Sequence, residues 1–262
     1  MLDDRIQAEA SIRAGVEMLV FRQLSVPEPA RPSRGAFNLR IGRTRVAVRF
    51  RAEAARIDLN AAPPDLLAGL FKAIGVGSDT AKTYADRVVG WRGPSNSTAA
   101  ASEAKLYAAS RSPYPPRQAP FDSPLELRLL LGLPTPVAER ALPFVTVFTG
   151  RPEIDVASAD PIVLSALPEM SAEIENAIVK ARAQAPNDRK GLLSLLGPAR
   201  SRATADSPKA VRAGIDVAFD NGRRVHAEVI VRLRDRGDEP YDILSWRDDL
   251  DGPTPLAWDS AL

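Results

Sequence analysis

The chain has 262 residues, 45% of them hydrophobic and 26% charged, enough for one large domain or two smaller ones with a sizeable core. A formal net charge of +2 argues little about nucleic acid. The absence of cysteine excludes disulfides, thiolate metal sites and a cysteine nucleophile, and a single histidine, His226, excludes a multi-histidine metal centre. No apolar run approaches the ~20 residues of a membrane-spanning helix, and no signal peptide precedes the first helix, so the expectation is a soluble chain.

Residues 2–24 read as one amphipathic helix, with Ile12, Val16, Leu19, Val20 and Leu24 at three- and four-residue steps. Pro27, Pro29 and Pro32 mark a loop. From Gly35 to Phe50 the period becomes two: Phe37, Leu39 and Ile41, then Val46, Val48 and Phe50, around a Gly42-Arg43 turn. That is a β-hairpin, with its arginines on the solvated face. From Ile57 the pattern is helical. It predicts helices over 64–73 and 79–91, joined by Gly75-Val76-Gly77, and a long loop over 93–120 holding a short helix near 99–108. Further helices are expected over 123–131 and 136–141, and a short β segment over 144–148. Helices over 161–167, 171–185 and 189–196 follow, and then three strands over 211–219, 223–234 and 241–246. Asp220-Asn221-Gly222 is the first turn of that meander.

Two stretches repeat at an offset of 97 residues. Ile57-Asp58-Leu59 is echoed by Ile154-Asp155-Val156, Ala62 by Ala159, Pro64 by Pro161, and Leu67 and Leu70 by Leu164 and Leu167. Each copy is an extended approach, a polar turn and a helix opened by proline, where the missing N–H has no intrahelical partner to lose. Strands on both sides of a helical block imply one sheet whose connection has grown into a subdomain. The expected fold is therefore α+β. The boundaries drawn are 1–55 for the helix and first hairpin, 56–207 for an inserted helical domain (units 56–150 and 151–207), and 208–262 for the closing strands.

Chemistry-bearing patterns are few. Asp248, Asp249 and Asp251 read as a solvated acidic tail before a cation site. His226 lies on the parity opposite Val225, Ala227 and Val229 and reads as an exposed or cross-strand histidine. No nucleophile elbow or phosphate loop appears. The Gly75-Val76-Gly77 turn is of the kind helix-hairpin-helix modules use to bind DNA phosphate. However, its counterpart Pro168-Glu169-Met170-Ser171 lacks glycine and adds a carboxylate, and Lys72, Lys82 and Arg87 make no basic stripe. An enzyme would need a polar pocket with shifted titrating groups.

A run of motifs resembles the K-type minor pseudopilins of the type II secretion system. They are Ala14-Gly15-Val16-Glu17, Ile57-Asp58-Leu59-Asn60-Ala61-Ala62-Pro63, Trp91-Arg92, Tyr114-Pro115-Pro116-Arg117-Gln118-Ala119-Pro120-Phe121, Leu125-Glu126-Leu127-Arg128, Phe144-Val145-Thr146-Val147 and Leu244-Ser245-Trp246-Arg247. The resemblance implies a pilin-like helix packed on an antiparallel sheet, with a large duplicated, SAM-like helical domain inserted between strands. It further implies an assembly role at the tip of the periplasmic pseudopilus with the I and J minor pseudopilins, no reaction catalysed and no nucleic acid bound. Family members begin with a leader and an apolar membrane helix. On this resemblance the chain is periplasmic, and membrane contact is expected only through such a helix, which these residues do not include. The expected partner surface is the first helix, at Leu2, Ile6, Ile12, Val16 and Leu19. Its upper part packs on its own sheet, and the part with Leu2 and Ile6 is free for neighbouring subunits. The family also implies calcium, held by an Asp-Trp-Arg-Asp stretch and a later acidic segment. Here those read Gly90-Trp91-Arg92-Gly93 and Ala101-Ser102-Glu103-Ala104, so only Glu103 is retained and no useful calcium affinity is expected.

Overall fold

The computed structural model describes residues 2–185, 188–206 and 208–250, with side chains from residue 5 onward. The chain divides into two compact units, one of Met1–Glu53 with Asp206–Leu262 and one of Ala54–Ala205.

The first unit opens with α1 (Leu2–Leu24), followed by β1 (Arg34–Ile41) and β2 (Thr44–Ala52). The second unit interrupts it. In chain order that unit holds β3 (Ile57–Asp58), α2 (Pro64–Ala73), α3 (Ser78–Arg92), α4 (Thr98–Ala109), α5 (Thr135–Ala141), β4 (Val145–Thr146) and β5 (Ile154–Asp155). It ends with α6 (Pro161–Ser165), α7 (Ala172–Gln184), α8 (Arg189–Leu195) and β6 (Ala203–Thr204). The first unit then resumes with β7 (Ala210–Ala218), β8 (Arg224–Leu233) and β9 (Tyr241–Asp248).

In the first unit all strand pairs are antiparallel and the sheet order is β1-β2-β7-β8-β9. Period-two alternation sends Val46, Val48 and Phe50 of β2, and Val211, Ala213, Ile215 and Val217 of β7, into one buried layer. Ile12, Val16, Leu19 and Val20 of α1 complete that layer at 0–2% exposure. The helix lies close: a Cβ added at Gly15 would come within 3.2–3.4 Å of Val46, Val48 and Ile215. The β1–β2 turn is Gly42-Arg43, with Gly42 at φ +58°. Thus the α+β arrangement expected from the sequence, a helix on an antiparallel sheet, is present.

The second unit is mostly helical and built from the repeat. In the first copy β3 pairs in parallel with β4, and in the second β5 pairs in parallel with β6. Each bridge is followed by a turn closed by its own aspartate. Asp58 accepts from the Asn60 N–H (2.7 Å), and Asp155 from the Ala157 N–H (3.0 Å) and the Ser158 hydroxyl (2.6 Å). Leu66, Leu67, Leu70, Phe71 and Trp91 join Ile154, Val163, Leu164 and Leu167 in one core, so neither copy could bury its apolar face alone.

Two local expectations shift. The stretch 123–131 forms a 3₁₀ turn, Pro124–Leu129, opened by a capping box between Ser123 and Glu126. Leu130 returns to extended geometry and ends it. The expected loop helix is a full three turns, because Ser97 caps it by accepting from the Ala100 N–H.

Candidate assembly surfaces and the residual metal loop

The first helix divides its side chains sharply. Ile12, Val16 and Leu19 lie at 0–1% exposure inside their own unit, packed on its sheet. Ile6 is 58% exposed, and Phe21, which the periodicity did not single out, is 66% exposed. The Leu2 side chain lies outside those described. Residues that bind within and residues that face outward alternate on one helix, and only exposure separates them.

Helix α4 turns Ala100, Glu103 and Tyr107 inward at three- and four-residue spacing. Glu103 is thereby 3% exposed, and its Oε2 accepts from the Arg87 guanidinium at 2.6 Å. Burial raises the carboxyl above the ordinary glutamate range, with the Arg87 charge opposing. The close approach depends on Gly90, where an added Cβ would meet the Glu103 Cβ at 2.8 Å and its Oε2 at 2.9 Å. At Gly93 it would meet the capping Ser97 hydroxyl at 2.9 Å. At both positions where the family resemblance implies aspartates, an added Cβ would thus press on Glu103 of α4 or on the Ser97 that caps it. A calcium ion needs several oxygen donors at 2.3–2.6 Å, and the one retained carboxylate is already held by a cation. These residues do not fit a calcium ion, and among the described residues no group of three or more acidic or histidine side chains could hold a metal.

The loop around α4 is fixed by other means. The Trp91 indole N–H donates to Glu126 (3.0 Å), and the buried Tyr107 hydroxyl donates to the Leu129 carbonyl (2.9 Å) while accepting from the Leu131 N–H (2.8 Å). Burial pushes that phenol up to about 12, so it remains a donor. Asn60 clamps Phe121 on both sides, donating to its carbonyl and accepting from its N–H.

In the Gly75-Val76-Gly77 turn, Gly75 takes φ +90°. A groove of about 800 Å³ beside it is lined by Lys72 and Lys82 but also by Asp65, Asp86 and Glu169. Glu169 belongs to the second copy's turn, where it adopts φ +59°. Mixed charge in the groove gives phosphate no preferred seat.

In the first unit, His226 Nδ1 lies 2.6 Å from Asp216 across β7 and β8, and Asp216 also pairs with Arg49 at 2.9 Å. The His226 hydrogen bond, with the Arg49 charge adding and burial opposing, holds the Asp216 carboxyl below its usual range. The histidine is a cross-strand residue. Arg212, buried, bridges Glu53 and Glu228 at 2.6 Å each. Asp248 accepts from the Trp246 indole N–H and Asp249 from the His226 N–H, so both serve the sheet. Asp251 lies outside the described residues.

A helix on an antiparallel sheet, interrupted by a duplicated and mostly helical unit, is a pilin-like α+β arrangement. Residues 37–150 match the family model described as Type II secretion system (T2SS), protein K. Among solved structures, the chain is similar to GspK in the GspK-GspI-GspJ complex from enterotoxigenic Escherichia coli, at 17% identity and a TM-score of 0.64. The likeness covers 94% of this chain and 98% of that one. No curated protein matches the chain significantly. Among the described residues no helix is long and apolar enough to cross a membrane.

Proposed function

We propose that the chain works in the periplasm at the tip of the type II secretion pseudopilus, where it joins I- and J-type minor pseudopilins to start or cap assembly and catalyses no reaction. The observation that carries this reading is the family match over residues 37–150, which runs from the sheet of the first unit well into the inserted unit. The similar GspK chain comes from a complex with GspI and GspJ, and that supports the same partner set here. A tip position is supported by bulk: residues 54–205 form a compact unit of their own, which a subunit stacking above would have to accommodate. The proposed contact surface is the exposed side of α1, with Ile6 and Phe21.

Co-expression with the I- and J-type proteins of the same secretion system tests it. A ternary complex that survives gel filtration is expected. Failure to co-elute, combined with salt-sensitive retention on DNA, would instead favour a helix-hairpin-helix binder.

A further inference from the structure

The turn between β7 and β8 carries chemistry that the assembly role leaves unused. Asp220-Asn221-Gly222 joins the two strands, and the Phe219 N–H closes the turn by donating to the Arg223 carbonyl at 2.9 Å. Asn221 and Gly222 are both exposed, and Gly222 takes φ +84°, a conformation that glycine reaches without strain. When glycine follows asparagine, no Cβ shields the backbone nitrogen, so that nitrogen can attack the preceding side-chain amide carbon.

Several details of this turn favour that attack. The Asn221 Oδ1 accepts from the Arg223 N–H at 3.0 Å. Negative charge developing on Oδ1 during attack at Cγ therefore meets a donor already in place. The ring closed by that hydrogen bond contains both the Asn221 Cγ and the Gly222 nitrogen, which holds electrophile and nucleophile together. A Cβ built at Gly222 would meet nothing within 4 Å, so a new ring has space there. One contact opposes: the Gly222 N–H donates to the Phe219 carbonyl at 3.1 Å and must let go before its proton can leave. The other described asparagines lack this combination. Asn60 is clamped by Phe121 through both amide atoms and precedes Ala61. Asn38 lies within β1 and Asn176 within α7, while the exposed Asn96 precedes Ser97.

We propose that Asn221 is a site of spontaneous hydrolytic deamidation, with water as the co-reactant. Solvent base removes the Gly222 amide proton, and the nitrogen lone pair forms a bond to the Asn221 Cγ. The bond from Cγ to the side-chain nitrogen breaks, and that nitrogen takes up a proton and leaves as ammonia. Water then opens the cyclic imide. Opening at Cγ gives aspartate, and opening at the backbone carbonyl gives isoaspartate, whose main chain runs through the β-carbon. The net change is an amide and water to a carboxylic acid and ammonia, with nothing oxidised or reduced. The new carboxylate stands next to Asp220, which Arg43 of the β1–β2 turn holds at 2.8 Å. It therefore adds like charge beside the ion pair that joins the two turns. Isoaspartate also lengthens the turn by one main-chain atom, which disturbs its closure by Phe219 and Arg223.

Incubation of the folded full chain in mildly alkaline buffer, followed by peptide mapping with mass spectrometry, tests it. Isoaspartate is read separately with an isoaspartyl methyltransferase, which labels that product and not aspartate. An acidic product confined to the peptide containing Asn221 is expected, with part of it labelled. It should form faster as pH rises, because base must remove the Gly222 amide proton. Asn221→Gln, whose longer side chain closes a ring less readily, should lose both the acidic product and the label. Asn221→Ser, which has no amide to lose, should do the same, and unchanged unfolding midpoints show that both variants fold. Absence of product at Asn221 in the folded chain would overturn the proposal. So would equal conversion at Asn96, persistence of the product in either variant, or conversion at Asn221 in urea alone, which would make the turn a protecting one.

Discussion

Two arginines do the same work in the two copies of the repeat. Arg92, at the end of α3, donates to the Leu59 and Ala62 carbonyls, and Arg182, in the last turn of α7, donates to the Val156 and Ala159 carbonyls, each at 2.7 Å. Each guanidinium ties the end of its second helix back to the turn that launches its first. Only a planar fork reaches both acceptors, so lysine should not substitute. Arg182→Ala leaves two carbonyls without their donor, and it should cost about 3 kcal/mol, read as a lower urea midpoint at unchanged slope. The 97-residue offset finds the carbonyls but not the donors, because Arg182 stands seven positions short of Arg92's counterpart: the second copy's hairpin is shorter. Glu103 offers a pH test. Its unfolded carboxyl titrates near ~4.3 and its folded one higher, so in that window the folded chain keeps a proton that the unfolded chain has released. The stability owed to this group therefore falls as pH rises through the window. Relative to Glu103→Gln, which cannot titrate there, the native chain should lose stability as pH climbs from about 4. Parallel urea curves across that range would show a pH-independent difference if the burial argument were wrong.

At the scale of elements, close approach decides which substitutions are tolerated. A Cβ at Gly69 on α2 would lie 2.0 Å from the Ala166 carbonyl oxygen at the end of α6. Because that obstacle is backbone, the helices must part, and Gly69→Ala should cost about 3 kcal/mol or more by thermal or urea unfolding. On α1 the two kinds of apolar residue should separate in the same measurement. Ile12→Ala removes a side chain at 0% exposure and should cost about 2–5 kcal/mol. Ile6→Ala should stay within about 0.5 kcal/mol, its effect appearing in binding assays. Much of this layout was legible, since long periods of 3.6 and 2 mark α1 and the five sheet strands. The parallel pairings of β3 with β4 and of β5 with β6 were not, because two residues carry no period and their partners lie far along the chain. Nor was the inward turn of Glu103, which needs α4 to be packed on α3 before a carboxylate in a Ser/Ala stretch has anything to face. An apolar stripe says that a surface is covered, not by what: for Ile12, Val16 and Leu19 the cover is the sheet of their own unit.

For the whole molecule, ties made by side chains should make metal irrelevant to stability. Chelation with EDTA should leave the unfolding midpoint unchanged and calcium titration should release no binding heat. A calcium-dependent rise in midpoint that Glu103→Ala abolishes would refute the Arg87 account. One further consequence follows from the sheet order. β2 takes β7 as its neighbour, with Ala52 opposite Val211, yet the whole of Ala54–Ala205 is synthesised between them. A nascent chain therefore presents α1 and a β1–β2 hairpin whose inner edge stays open until the helical unit has been made. An open edge invites pairing with other chains, so the early hairpin is the segment most in need of protection during synthesis. Collapse of the inserted unit draws its two ends together and shortens the loop that β7 must close. The helical unit, whatever it does in the finished assembly, would then act as the clock that times completion of the sheet.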